Sequence, residues 1–162
     1  MAYLLDANVF IQAKNHYYGF DYCPAFWSWL EVKNGAGLVY SVERVGDELQ
    51  GHADRLAEWA RVQGTRFFLP TDPALLAAFT AINTWLRAQR YRPAAITDFL
   101  QEPDFTLVAH ALAHGHTLVT HEVTSNTQKR VKIPDVCVGV GVKYTNTFGM
   151  LRTERARFVL AP

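Results

Sequence analysis

Tyr3-Leu4-Leu5-Asp6-Ala7-Asn8-Val9-Phe10 is an apolar run stopped by an acid and resumed at helical spacing, and its reading decides the fold. Tyr3 to Leu5 suits a buried strand and Asn8 to Lys14 a helix, so Asp6 stands where the strand ends. Late in the chain Leu118-Val119-Thr120-His121-Glu122 repeats the arrangement. Glu48 follows another apolar run, Leu38 to Val42, and Asp104 precedes the Leu118 run. As parallel neighbours these strands would share one carboxyl edge, where open α/β sheets place their ligand sites. Crowded carboxylates repel one another unless protons or cations neutralise them, so the pattern points to divalent-metal chemistry.

Outward from these segments, short apolar runs alternate with helix-period segments, the signature of an α/β fold. Strands are expected at Tyr3 to Leu5, Leu38 to Val42, Arg66 to Leu69 and His116 to Thr120, with further candidates at Val136 to Val140 and Arg157 to Leu160. Pro24 opens a helix that Asn34-Gly35 stops, after a polar, aromatic loop from Asn15 to Cys23. Ser41 or Glu43 begins the helix carrying Val45 and Leu49, and Ala53 to Val62 forms another. Thr71-Asp72-Pro73 caps a long helix to about Gln89. Pro93 to Leu100 and Phe105 to Ala113 are helical, the second ended by Gly115. Thr124 to Lys132 reads as a mobile basic loop.

With 162 residues, 49% of them hydrophobic, the chain suits one domain spanning 1–162 around a substantial core. A formal charge of +1 makes any nucleic-acid contact the work of a local basic patch. Cys23 and Cys137 lack metal or redox spacing and fit two buried thiols in a reducing cytosol. The N-terminus carries no leader pattern and no run reaches a membrane span, so a soluble cytoplasmic protein without membrane contact is expected.

These residues resemble the PIN-domain superfamily of metal-dependent nucleases, which includes VapC-type toxins of bacterial toxin–antitoxin pairs. The matching pieces are Y-L-L-D-A-N-V-F, V-G-D-E-L, E-P-D-F-T-L-V-A-H-A-L-A and L-V-T-H-E. C-P-A-F-W-S-W-L and K-I-P-D-V-C mark a PIN-like branch of largely uncharacterised bacterial proteins. The resemblance implies an α/β domain whose central, mostly parallel sheet is flanked by helices. It places the family acids on Asp6, Glu48, Asp104 and Glu122, with Asn8 and Thr120 as polar neighbours. The fourth family acid is more often aspartate, and Glu122 is a longer, more mobile substitute. The implied activity is an endoribonuclease using Mg²⁺ or Mn²⁺, the toxin of a toxin–antitoxin pair, with RNA as substrate, an antitoxin protein as partner, and a homodimer as a further assembly.

Hydrolysis of a phosphodiester needs an activated water, a neutralised phosphoryl oxygen and a stabilised leaving alkoxide, all within reach of one or two divalent cations. Asp6 and Asp104 are the expected direct ligands. Glu48 would complete the set or orient water, Glu122 would support a second cation, and Asn8 or Thr120 would hydrogen-bond to ligand or water. Each acid also has a structural reading: Asp6 with Asn8 as a helix cap, Asp104 as a favourable first-turn charge, Glu48 as an exposed face beside Asp47. Glu43, Asp98 and Asp135 are the substitutes. The non-catalytic alternative is a PIN-like module that binds RNA or protein without cutting.

Lys129, Arg130 and Lys132 form the densest basic cluster and are candidates for phosphate contact, with Arg44 and Arg55 near the acidic helix. Tyr17, Tyr18 and Phe20 are candidates for stacking on unpaired bases. Trp27 and Trp29 belong to the core or to an oligomer surface. His110 and His114, four apart and followed by His116 and His121, have a spacing that can bind zinc. Without the glutamate of H-E-x-x-H, and with Gly115 intervening, a structural or solvated role is the simpler reading. Gly139-Val140-Gly141 is turn composition rather than a phosphate loop.

Overall fold

Five short strands, β1 (Tyr3–Leu5), β2 (Val39–Val42), β3 (Phe68–Leu69), β4 (Thr117–Val119) and β5 (Tyr144–Thr145), pair in parallel in the order β3-β2-β1-β4-β5. The computed structural model describes residues 1–161. A parallel sheet covered on both faces needs strands that are apolar throughout. Leu4, Leu5, Val39, Val42, Leu118 and Val119 are accordingly all fully buried. β1 is central, with Leu4 beside Tyr40 and Leu118, and Leu5 beside Val119. This is an α/β architecture with a central parallel sheet flanked by helices, as the sequence resemblance implies.

Nine α-helices among the described residues connect and cover the strands: α1 (Ala7–Gln12), α2 (Pro24–Gly35), α3 (Glu43–Gln50), α4 (Arg55–Gln63), α5 (Leu75–Ala88), α6 (Pro93–Gln101), α7 (Pro103–His114), α8 (Ile133–Val140) and α9 (Thr147–Thr153). Prolines open α2, α6, α7 and α8, where a missing N–H costs nothing. Gly115 closes α7 at φ 70°, a left-handed conformation that suits glycine. α7 packs against α5, α6 and α8 and against β2 and β4, the two strands that flank β1. None of these helices is long and apolar enough to cross a membrane.

Four expected elements differ. Val136 to Val140 is part of α8 rather than a strand. The alternation of valines imitates a strand, but Pro134 in the first turn and Gly141 at φ 81° just past the last residue are helix boundaries. The last strand is Tyr144–Thr145, while residues 157–160 form no regular element; Phe158 instead packs on Tyr18 and Phe26. The expected loop at Asn15 begins as one π-helical turn, Ala13–Tyr17, continuing α1. Thr124 to Lys132 is tied down rather than loose: the Ser125 amide donates to Asp135 at 3.1 Å and the Arg92 amide donates to the Gln128 carbonyl at 3.0 Å.

α3 lies close enough to β3 that a Cβ on Gly46 would sit 2.8 Å from Cγ of Phe68. Phe68 is itself 4% exposed and packs against Phe10, Trp59 and Phe67, so it has little room to yield. We expect Gly46→Ala to cost about 1–3 kcal/mol of stability, the range of overpacked cores. Urea unfolding of the two proteins measures the difference.

Candidate active site

Parallel pairing of β1 with β4 brings the residues just beyond Leu5 and Val119 side by side. The Asp6 amide donates to the Val119 carbonyl at 2.9 Å, and the Thr120 hydroxyl donates to Oδ2 of Asp6 at 2.9 Å. The same hydroxyl oxygen accepts from the Glu122 amide at 3.1 Å. One buried threonine therefore fixes the first and fourth acids relative to each other. Asp6 occupies the N-cap position of α1, but its side chain does not accept the usual capping bond from the second or third helical residue. Replacing Thr120 by valine leaves the shape, removes the donor to Asp6, and leaves the Glu122 amide without this acceptor. A loss of about 1–3 kcal/mol is expected in denaturant unfolding, with Thr120→Ser retaining most of it.

A helix that crosses back over a parallel sheet begins at the strands' carboxyl edge, and α7 precedes β4 in this way. Its first turn carries Asp104 to the edge occupied by Asp6. Burial, chiefly, pushes Asp6 up to about 7, with Glu122 and Glu48 adding repulsion against hydrogen bonds from Thr120 and the Ala7 amide. Asp104 is pushed up to about 8 by burial and then by the charges of Asp6, Glu122 and Glu102, and by a hydrogen bond to Glu102. Carboxyls that resist ionisation because they are buried together with other carboxyls are what a cation-binding site presents when only protons are available.

Glu122 is held more tightly than its length suggests. Its Oε2 accepts from the Ile133 amide at the start of α8 at 2.9 Å, and its Oε1 lies 3.7 Å from Nη2 of Arg130. A helix N-terminus is a natural seat for an anion. Glu48, by contrast, is exposed on α3, and its influence on Asp6 is the weakest of the five causes. Asn8 is exposed in the first turn of α1.

The basic cluster divides. Arg130 faces Glu122, while Lys129 and Arg130 line a cavity of about 160 Å³ together with Asp98 and Glu102. Lys132 is the half-buried N-cap of α8. Asp135 is bound to the Ser125 amide, so it serves the loop, and Glu43 is exposed at the start of α3. Arg44 reaches from α3 to the carbonyls of Gln101 at 2.5 Å and Glu102 at 3.3 Å, fixing the junction that presents Asp104. Arg55 stands 5.2 Å over the Phe20 ring.

Of the aromatic candidates, Tyr18 stacks on Phe26 at 4.5 Å and Phe20 on Trp27 at 4.0 Å, so both rings have partners within the chain. Tyr17 is 44% exposed and gathers with Phe148 at 5.0 Å and His121 at 5.8 Å, beside the strand end that carries Glu122. Trp27 is 3% exposed and belongs to the core, which removes it from any oligomer surface. Cys137 is buried, but Cys23 is only half-buried, and both are free. Burial, with Glu122 nearby, pushes the Cys137 thiol up to about 12 and makes it inert.

Two neighbours of the site escaped the sequence reading. Glu102 lies two residues before Asp104 and was hidden in plain view within E-P-D. Ser41, fully buried at the end of β2, donates to the Leu5 carbonyl at 2.6 Å and secures the backbone just before Asp6.

A family model described as "Domain of unknown function (DUF4411)" matches residues 3–158. No curated protein matches the chain. Among solved structures, a chain from the crystal structure of VapBC2 from Rickettsia felis bound to a DNA fragment from their promoter is similar, with 18% identity and a TM-score of 0.49 over 90% of this chain and 98% of that one.

Proposed function

The chain belongs to the DUF4411 family, and from the geometry of its acidic edge we propose that it is a divalent-metal-dependent endoribonuclease. The observation that carries the reading is the convergence of Asp6, Asp104 and Glu122 at one sheet edge, where burial first and the neighbouring carboxylates second raise the pKa of Asp6 and Asp104. A hard cation prefers such an all-oxygen donor set, and Mg²⁺ or Mn²⁺ is the natural choice. When bound, it would lower the pKa of water and neutralise a phosphoryl oxygen.

The residues have distinct parts in this account. Asp6 and Asp104 are the direct ligands, and Thr120 orients Asp6. Glu122, with one oxygen committed to the Ile133 amide, acts from the outer side of the site, and Glu48 reaches in from the rim to position water. Lys129, Arg130 and Lys132 flank the acids and would contact the phosphate backbone, Asn8 is free to bond the substrate, and the exposed Tyr17 ring would stack on an unpaired base. The setting implied by the sequence resemblance is the toxin of a toxin–antitoxin pair in the cytoplasm, held in check by an antitoxin protein, with a homodimer as the expected assembly.

The test is incubation of purified protein with a mixed pool of structured and single-stranded RNA in Mg²⁺, Mn²⁺ or EDTA. Cleavage with either ion and none in EDTA supports the proposal. Absence of cleavage under every condition, with RNA still bound, assigns the domain to the binding-module class.

A further inference from the structure

The opposite end of α7 carries a second constellation. His110 and His114, four residues apart on one helical face, meet Asp72 from the segment that follows β3, and one donor atom from each lies within 4.8 Å of the others. Nε2 of His114 is 2.8 Å from Oδ2 of Asp72. Oδ1 of Asp72 accepts from the Ala74 amide at 2.8 Å, which leaves Oδ2 turned toward the histidines. His110 is only 3% exposed, and its Nδ1 is the buried side-chain atom without a hydrogen-bond partner among the described residues.

An orphaned ring nitrogen in the interior costs free energy and calls for a ligand. The other nitrogen of His110, Nε2, lies 3.4 Å from the Pro70 carbonyl. A proton on Nε2 directed at that carbonyl leaves the Nδ1 lone pair free. Metal-binding histidines show this pattern, donating one ring N–H to a backbone carbonyl and ligating through the other nitrogen. All three residues line one cavity of about 450 Å³, shared with His116, Tyr40 and Met1.

We propose that Asp72, His110 and His114 form a second, separate cation site that takes Zn²⁺ or a similar imidazole-preferring ion. The donor chemistry distinguishes it from the acidic edge: two imidazoles and one carboxylate suit zinc, whereas an all-carboxylate set suits Mg²⁺ or Mn²⁺. Zinc bonds of about 2.0–2.2 Å at tetrahedral angles put neighbouring ligand atoms about 3.3 Å apart. The His114–Asp72 contact therefore needs only a small opening to admit the ion. A cation there would clamp the C-terminal half of α7 to the segment before α5, about 15 Å along the helix from Asp104, since ten residues rise 1.5 Å each.

The experiment is a Co²⁺ titration followed by visible absorption, with Zn²⁺ added as competitor, on wild-type protein and on Asp6→Asn/Asp104→Asn, in which the acidic edge is disabled. The strong visible band of four-coordinate Co²⁺ is expected in both, at one ion per chain, and Zn²⁺ should abolish it. His114→Gln and Asp72→Asn, both at partly exposed positions, should each weaken binding at least tenfold and remove the zinc-dependent rise in melting temperature, with circular dichroism confirming that each variant is folded. Failure to produce the band, or binding as tight in both variants as in wild type, overturns the site. The outcome is independent of RNA cleavage.

Discussion

Asp104→Asn and Asp6→Asn should each lower metal-dependent RNA cleavage by at least about 10³-fold, equivalent to about 4 kcal/mol of transition-state stabilisation. Asparagine keeps the size and removes the charge, so the fold persists while the donor set loses the anion that attracts the cation. Combining the two substitutions should reduce cleavage little beyond the worse single change, because groups acting as one unit are strongly non-additive. Rates from single-turnover cleavage, with circular dichroism to confirm folding, give the comparison. Glu48→Gln, at an exposed position, should cost much less. A variant lacking either aspartate that still cuts at the wild-type rate would remove the acidic edge from the chemistry.

The same substitutions should stabilise the metal-free protein at alkaline pH. Asp6 rises from 3.8 to about 7 and Asp104 from 3.8 to about 8 on folding. Between pH 4 and 8 the folded chain thus holds more protons than the unfolded one, and stability falls as pH rises. The loss is absent below the unfolded value and complete above the folded one, the reverse of an ion-paired carboxylate. With one pKa unit equal to about 1.4 kcal/mol, a penalty of several kcal/mol is expected, or roughly 10–20 °C in melting temperature for a chain of this size. In EDTA, wild-type melting temperature should decline from pH 5 to pH 9, and Asp6→Asn and Asp104→Asn should flatten the decline. Saturating Mn²⁺ at pH 8 should restore about 2.7 kcal/mol at one hundred times its dissociation constant. A flat wild-type profile would show that the carboxyls are not in conflict.

Much of this arrangement is legible in the sequence because it depends on local order. Tyr3 to Asp6 and Leu118 to Thr120 announce buried strands ending in polar residues, and parallel pairing alone then sets Asp6 beside Thr120. Asp104 follows from the direction of a crossover helix. The C-terminal region was less readable because its signals compete: the valines of α8 alternate as in a strand, and only Pro134 and Gly141 speak for the helix. A two-residue strand such as Tyr144–Thr145 carries too little pattern to stand out from its surroundings.

Long-range contacts are the other source of difference. Nothing local couples Asp72 to His110 and His114, which lie 38 and 42 residues later; Asp72 reads as a turn residue, and it does accept from the Ala74 amide in that role. The pinning of Glu122 by the Ile133 amide is likewise invisible until α8 is recognised as a helix. Tyr18 and Phe20 look like surface aromatics in a polar loop but are consumed by stacking within the chain, on Phe26 and Trp27.

The central claim is most directly tested by titrating Mn²⁺ into wild-type protein with a uniformly labelled RNA pool, counting bound ion by electron paramagnetic resonance and cleaved RNA in the same samples. We expect cleavage to rise in step with occupancy of a site that Asp6→Asn abolishes, and to vanish in EDTA. Mn²⁺ bound at that site with RNA left intact, or cleavage that proceeds without bound ion, would contradict the account.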